Sequence, residues 1–221
     1  MKFPNAAKGV SKIFTAEILS LIALIAVGIM SIFSAFVVVT AKGSNEASTG
    51  FIASAAGFVF FGAIAGVLGI IALILQVIGV IQASKDEDSF KVIIYLTVLS
   101  IIVSFVAAIF SSNQFASDLS RVVSELVSLI CSVLTVLGIV NMAANYSNLE
   151  IIEKGGKIFK IIIAVGMLSI IMRLISIILP NESGAVIIMI LAIISLLLGI
   201  VQYCIYLSFL SKAKKMLKEE Y

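Results

Sequence analysis

Between Asp118 and Asn145 an otherwise apolar run is interrupted at regular intervals. Asp118, Arg121, Glu125, Ser128, Ser132 and Thr135 follow one another at three or four residues, and Gly138, Asn141 and Asn145 continue the line. On a helix this spacing lays them along one face. Val122, Val123, Leu126, Leu129, Ile130, Leu134 and Val136 cover the rest of the circumference. In water those proportions would be inverted. In a bilayer they make sense, because the broad apolar face meets lipid and the narrow polar stripe meets protein or trapped water. The remaining helices are expected to pack around this stripe.

Five other apolar runs share the chain. With 118–145 they predict helices over about 14–40, 51–83, 90–109, 158–179 and 185–210, each long enough to cross a hydrocarbon core. The first run follows a basic start, and Val39-Thr40-Ala41 resembles a signal cleavage site. Its apolar core, however, far exceeds the roughly 7–15 residues of a signal segment, so an uncleaved helix is expected. Polar turns lie between the runs; Pro180-Asn-Glu-Ser-Gly184 breaks the helix before it, and Lys154-Gly155-Gly156-Lys157 reads as a turn.

The resulting fold class is an all-α integral membrane protein, a single domain over 1–221 with six transmembrane helices arranged as three hairpins. A repeat supports the parse. Ile78-Gly79-Val80-Ile81-Gln82, Leu137-Gly138-Ile139-Val140-Asn141 and Leu198-Gly199-Ile200-Val201-Gln202 recur near the ends of the second, fourth and sixth helices. Phe90-Lys91 and Phe159-Lys160 open the third and fifth. Carried into packing, this repeat implies a pseudo-threefold arrangement of the hairpins.

Composition narrows the class further. The chain is 62% hydrophobic and 12% charged, with a mean hydropathy of +1.25, against about half apolar and a quarter charged for a soluble domain. A soluble single domain is excluded on that ground. Histidine is absent, which removes the commonest metal ligand. Cys131 and Cys204 lie in apolar helices at different depths and read as small hydrophobes. No metal, cofactor or nucleic acid is expected; the expected partners are the bilayer and a second copy or another membrane protein.

Charge sets the orientation. The six-helix parse places 12 of the 15 basic residues on the side that holds both termini, the 84–91 turn and the 147–160 connection. Lys42, Arg121 and Arg173 fall on the other side. Basic residues near membrane ends stay cytoplasmic, so both termini are expected inside. The preference for Lys over Arg and the heavy use of Ile fit a bacterial inner (plasma) membrane.

Three features carry candidate function. Asp118, Arg121, Glu125 and Arg173 form a candidate buried charge network. Glu125 and Arg173 each sit six residues inside an outer helix end, about 9 Å deep, where an isolated charge is costly. Ser128, Ser132 and Thr135 form the stripe proper, and small or hydroxylated faces recur at Gly166, Ser169, Arg173 and Ser176 and at Thr97, Ser100 and Ser104. Such faces serve close packing and interhelical hydrogen bonds, or line a wet path. Gly62 and Gly66 make a GxxxG motif, with Gly69 on the same face, suited to helix–helix contact within the chain or with a second copy.

Enzymatic chemistry leaves no trace. No Ser–His, Asp–Asp or zinc-ligand set lies within the helices, and no phosphate-binding loop is complete. The reading is a non-enzymatic membrane protein with a structural or accessory role. The alternative is a small channel or transporter using the fourth helix as its path. With both termini inside, a membrane-impermeant thiol reagent applied to intact cells should label Ser44→Cys and leave Ser84→Cys unlabelled. The reverse pattern would invert the topology.

Overall fold

The computed structural model describes residues 3–43, 49–109, 114–178 and 181–219. Among these, the side chains of 31–43, 49–54, 104, 106–108, 114–118, 121, 173, 176–178, 181–197 and 219 lie outside the description. The described residues form six helices: α1 Pro4–Gly43, α2 Thr49–Ala83, α3 Ser89–Ile109, α4 Gln114–Asn145, α5 Leu149–Ile178 and α6 Asn181–Glu219. Pro4–Met30, Ala55–Ala83, Val122–Asn145 and Leu149–Met172 are long and apolar enough to cross a membrane; Ser89–Val103 is a shorter apolar stretch. Large apolar side chains such as Val59, Phe60, Val67, Ile70 and Phe105 remain exposed along them. Lipid, not water, covers an apolar exterior of that extent.

The helices run past the apolar stretches that announce them. α1 starts at Pro4, α5 takes in Lys154-Gly155-Gly156-Lys157, and α6 carries the basic tail to Glu219. The Lys154–Lys157 segment is therefore helix and not a turn. A helix outside hydrocarbon needs no apolar side chains to keep its backbone bonds, and Lys, Glu and Ala are good helix formers. Gly155 is tolerated because it is buried against Val140 and Phe209, where a side chain would not fit; Gly156 is exposed.

The chain divides into two compact units, 1–10 with 79–221 and 11–78. In the first, α4 packs on both α3 and α5 and touches α6, and α5 packs on α6. Its core is closed, with Phe90, Met142, Leu210 and Ala213 wholly buried and Phe209 and Leu217 nearly so. In the second, the buried positions include small residues, Ala16, Ala26 and Ala72, and Gly62 lies against Met30.

Within the first unit the helix ends are joined by side chains that satisfy backbone donors. Pro4 opens α1 without an N–H, and Phe3 accepts the first helical bond from Ala7. The next two donors, on Asn5 and Ala6, both reach Asp86 Oδ2 at 2.7 and 2.8 Å, and Asn5 Nδ2 reaches Oδ1 at 2.9 Å. Asp86 lies in the α2–α3 turn, so the cap of α1 comes from a distant part of the chain. Its negative charge also suits the positive pole of the helix dipole. Glu87, next in that turn, accepts from Ser89 Oγ and from Asn141 Nδ2 of α4.

Close backbone approach reinforces the same end. A Cβ on Gly9 would lie 2.5 Å from Gly79 O and 2.7 Å from Ala83 N, so only glycine lets α1 meet α2 there. At the α4–α5 junction, Asn148 N bonds Ala143 O and Ser147 N bonds Ala144 O, the two bonds of a Schellman cap. Ser147 takes the left-handed conformation this cap demands, with φ 56°. Asn148 then caps α5, its Oδ1 accepting from Ile151 N.

Ser84 is buried and bonded to Ile81 O, so Asp88, exposed in the same turn, is the better position for labelling this side. Two substitutions should move stability in opposite directions. Asp86→Ala removes three hydrogen bonds from the start of α1 and should cost about 1–2 kcal/mol. Ser147→Gly removes the left-handed penalty and should gain about 0.5–1 kcal/mol. Thermal unfolding of purified protein in one detergent reads both; equal midpoints for all three chains would contradict this account of the helix ends.

Candidate functional site

The stripe on α4 changes surroundings along its length. Ser128 is exposed, Ser132 is half-buried and Thr135 is buried at 5% exposure. Ser132 Oγ donates to Ser128 O and Thr135 Oγ1 to Cys131 O, each one turn back on the same helix. A hydroxyl that bonds its own backbone hides its polarity from lipid without needing a partner. Thr97 on α3 does the same with Ile93 O. These hydroxyls are thus satisfied within their own helices.

Further along, the stripe is filled by protein. A Cβ on Gly138 would lie 2.7 Å from Phe90 Cε2, so the ring of α3 lies against the glycine. Phe90, Val136, Ile139 and Met142 are all buried around this point. Asn141 turns to Glu87, and Asn145 donates back to Asn141 O. The polar face of α4 therefore ends as a close, buried contact with α3 followed by a hydrogen-bonded rim.

Of the charge network, only Glu125 has a described side chain, half-buried on α4. The side chains of Asp118, Arg121 and Arg173 lie outside the described residues, and the pairing expected among the four lies there too. Among the described residues no group of His, Cys, Asp or Glu has the spacing to hold a metal ion.

The glycines divide into two kinds. Gly155 and Gly166 are packing positions: a side chain on Gly155 would collide with Val140, and one on Gly166 with Leu129. On α2, Gly62 meets Met30 Sδ at 3.1 Å from its Cβ position, while Gly66 and Gly69 meet nothing within 4 Å. The recurring glycines of the three similar stretches also differ. Gly79 and Gly138 are buried against neighbours, whereas Gly199 has open space about it.

Sequence reasoning passed over the ionic cluster at the start of α5. Glu150 pairs with both Lys154 and Lys212 of α6, the latter at 3.0 Å, and Glu153 pairs with Lys157 at 2.6 Å. The i,i+4 spacing of Glu150–Lys154 and Glu153–Lys157 was the available signal, visible only if this segment is taken as helix.

The two kinds of glycine should respond differently to bulk. Gly155→Leu forces a side chain into Val140 and should abolish the folded protein in detergent. Gly66→Leu should leave the fold intact and, where α2 meets a second copy, reduce the oligomer seen by cross-linking and light scattering. An unfolded Gly66→Leu chain would show instead that this face packs internally.

Compared with family models, curated proteins and solved structures, the chain matches none.

Proposed function

We propose that this chain is a non-enzymatic structural or accessory protein of a cell (inner) membrane. It crosses six times as three hairpins, has both termini in the cytoplasm and associates with a second copy or another membrane protein. The observation that carries the reading is the state of the α4 stripe. Ser132 and Thr135 bond their own backbone, and the stripe closes on Phe90 at Gly138. A solute path would need those groups turned toward a wet channel, with water replacing the contacts to α3. The orientation rests on the basic residues. The start of α1, the α2–α3 turn, the α4–α5 junction and the end of α6 meet within one unit, and they hold most of the lysines. Self-association is supported by the open faces of Gly66 and Gly69.

Purified protein in liposomes should pass ions and small neutral solutes no faster than protein-free liposomes. Flux above that level that also falls in Ser128→Val or Thr135→Val would overturn the structural reading in favour of transport along α4.

A further inference from the structure

A groove of ≈460 Å³ runs between α5 and α6 in the first unit, and its two ends differ in chemistry. Lys154 and Lys157 on α5 and Lys212 on α6 form one end, with Ser208 beside them. Ile161, Cys204 and Ile205 form the other. The floor between is packed, with Ile158 and Phe209 buried at 6% and 1% exposure. Along α5, Lys154 stands about 10 Å and Lys157 about 6 Å from Ile161 at the apolar end.

That separation excludes most occupants. A free anion satisfies the lysines and leaves the apolar end uncovered. A hydrocarbon chain alone satisfies the apolar end and places nothing on the cations. Both are matched by an amphiphile carrying a negative headgroup above an acyl chain, and the volume lies in the range of small-molecule sites. The groove flanks a stretch long enough to cross a membrane, so membrane lipid is the amphiphile that reaches it.

Charge balance favours the same occupant. Lys154 and Lys212 share Glu150, and Lys157 pairs with Glu153. These are exposed pairs, which contribute little to stability, and each ammonium keeps further donors to offer. Around them the start of α5 and the C-terminal stretch from Lys212 hold seven lysines, 154, 157, 160, 212, 214, 215 and 218, against Glu150, Glu153, Glu219 and Glu220. The excess is positive where the headgroup would sit. We propose that the α5–α6 groove is a binding site for one anionic phospholipid, with its phosphate on Lys154, Lys157 and Lys212 and its acyl chain along Ile161, Cys204 and Ile205.

The chain contains no tryptophan, so one introduced reporter reads the site without background. Val201 is exposed, one turn below Cys204 and Ile205 on the same helix, and does not line the groove. The Val201→Trp chain would be reconstituted in phosphatidylcholine vesicles containing a small fraction of brominated phosphatidylglycerol or of brominated phosphatidylcholine. Brominated phosphatidylglycerol should quench at about one-fifth the mole fraction, the preference expected for roughly one net positive charge at a membrane surface. Lys154→Gln, Lys157→Gln and Lys212→Gln together should remove the preference, whereas Lys8→Gln, Lys12→Gln and Lys85→Gln should leave it. Equal quenching by the two lipids in the Val201→Trp chain overturns the proposal without recourse to the lysine variants. Loss of preference in both lysine sets would overturn it as well, by showing only diffuse surface charge. A preference abolished by glycerol phosphate in the buffer would mark a site for soluble anions and overturn the lipid assignment.

Discussion

The first turn of every helix leaves backbone donors, and the last turn acceptors, that hydrocarbon cannot satisfy. In this protein the polar ends of several helices gather in one unit and supply one another's missing partners. The clearest case is Asp86, whose carboxylate takes the free donors of Asn5 and Ala6. Pro4 removes a further donor that would have needed a partner. Glu87 beside it ties the same turn to α4 through Asn141, and Phe3 rests edge-on against Tyr146 at the end of α4. Through Asp86 and Glu87 this short acidic turn thus caps α1 and joins it to α4.

Around these caps small residues let the helices approach closely. Gly9 allows two backbones to touch, Gly138 admits the Phe90 ring, and Gly155 lets α5 approach Val140 and Phe209. Away from this region the balance changes, since much of the apolar surface of α2 and α3 stays exposed. Lipid is as apolar as leucine, so burying such side chains against another helix gains little over leaving them in the bilayer. Among the described residues, close contacts therefore occur where polar groups have defined partners and where small residues permit close approach. The α5–α6 groove lies beside that region, between helices whose polar ends are ion-paired and which expose apolar side chains such as Met167 and Val201 farther along.

The α4 stripe shows how a periodic pattern along a helix leaves its use open. Its periodicity places Ser128, Ser132 and Thr135 along one line, and the structure keeps α4 in contact with α3, α5 and α6. Whether those hydroxyls face water, a partner or their own helix depends on side-chain rotation and on what fills the space opposite. Phe90, far away in sequence, fills it at Gly138. Ser147 offers a similar case. A glycine there would have announced the cap, but a serine in left-handed conformation gives no signal until the chain is folded.

Sequence alone determined the properties that follow from composition and period. The apolar runs require helices because a bilayer admits only helices and closed barrels, and unbroken apolar runs lack the alternation of barrel strands; their lengths bring several of them to membrane-crossing size. The glycines at close contacts were visible as small residues, although their partners were not. Only the tertiary structure decided where the helices end, because polar helical segments such as Lys154–Lys157 keep their backbone bonds without any apolar pattern to mark them. It alone paired Asp86 with the start of α1 and Lys212 with Glu150. Such pairings depend on which helix ends arrive at the same place, and period and composition carry no information about that.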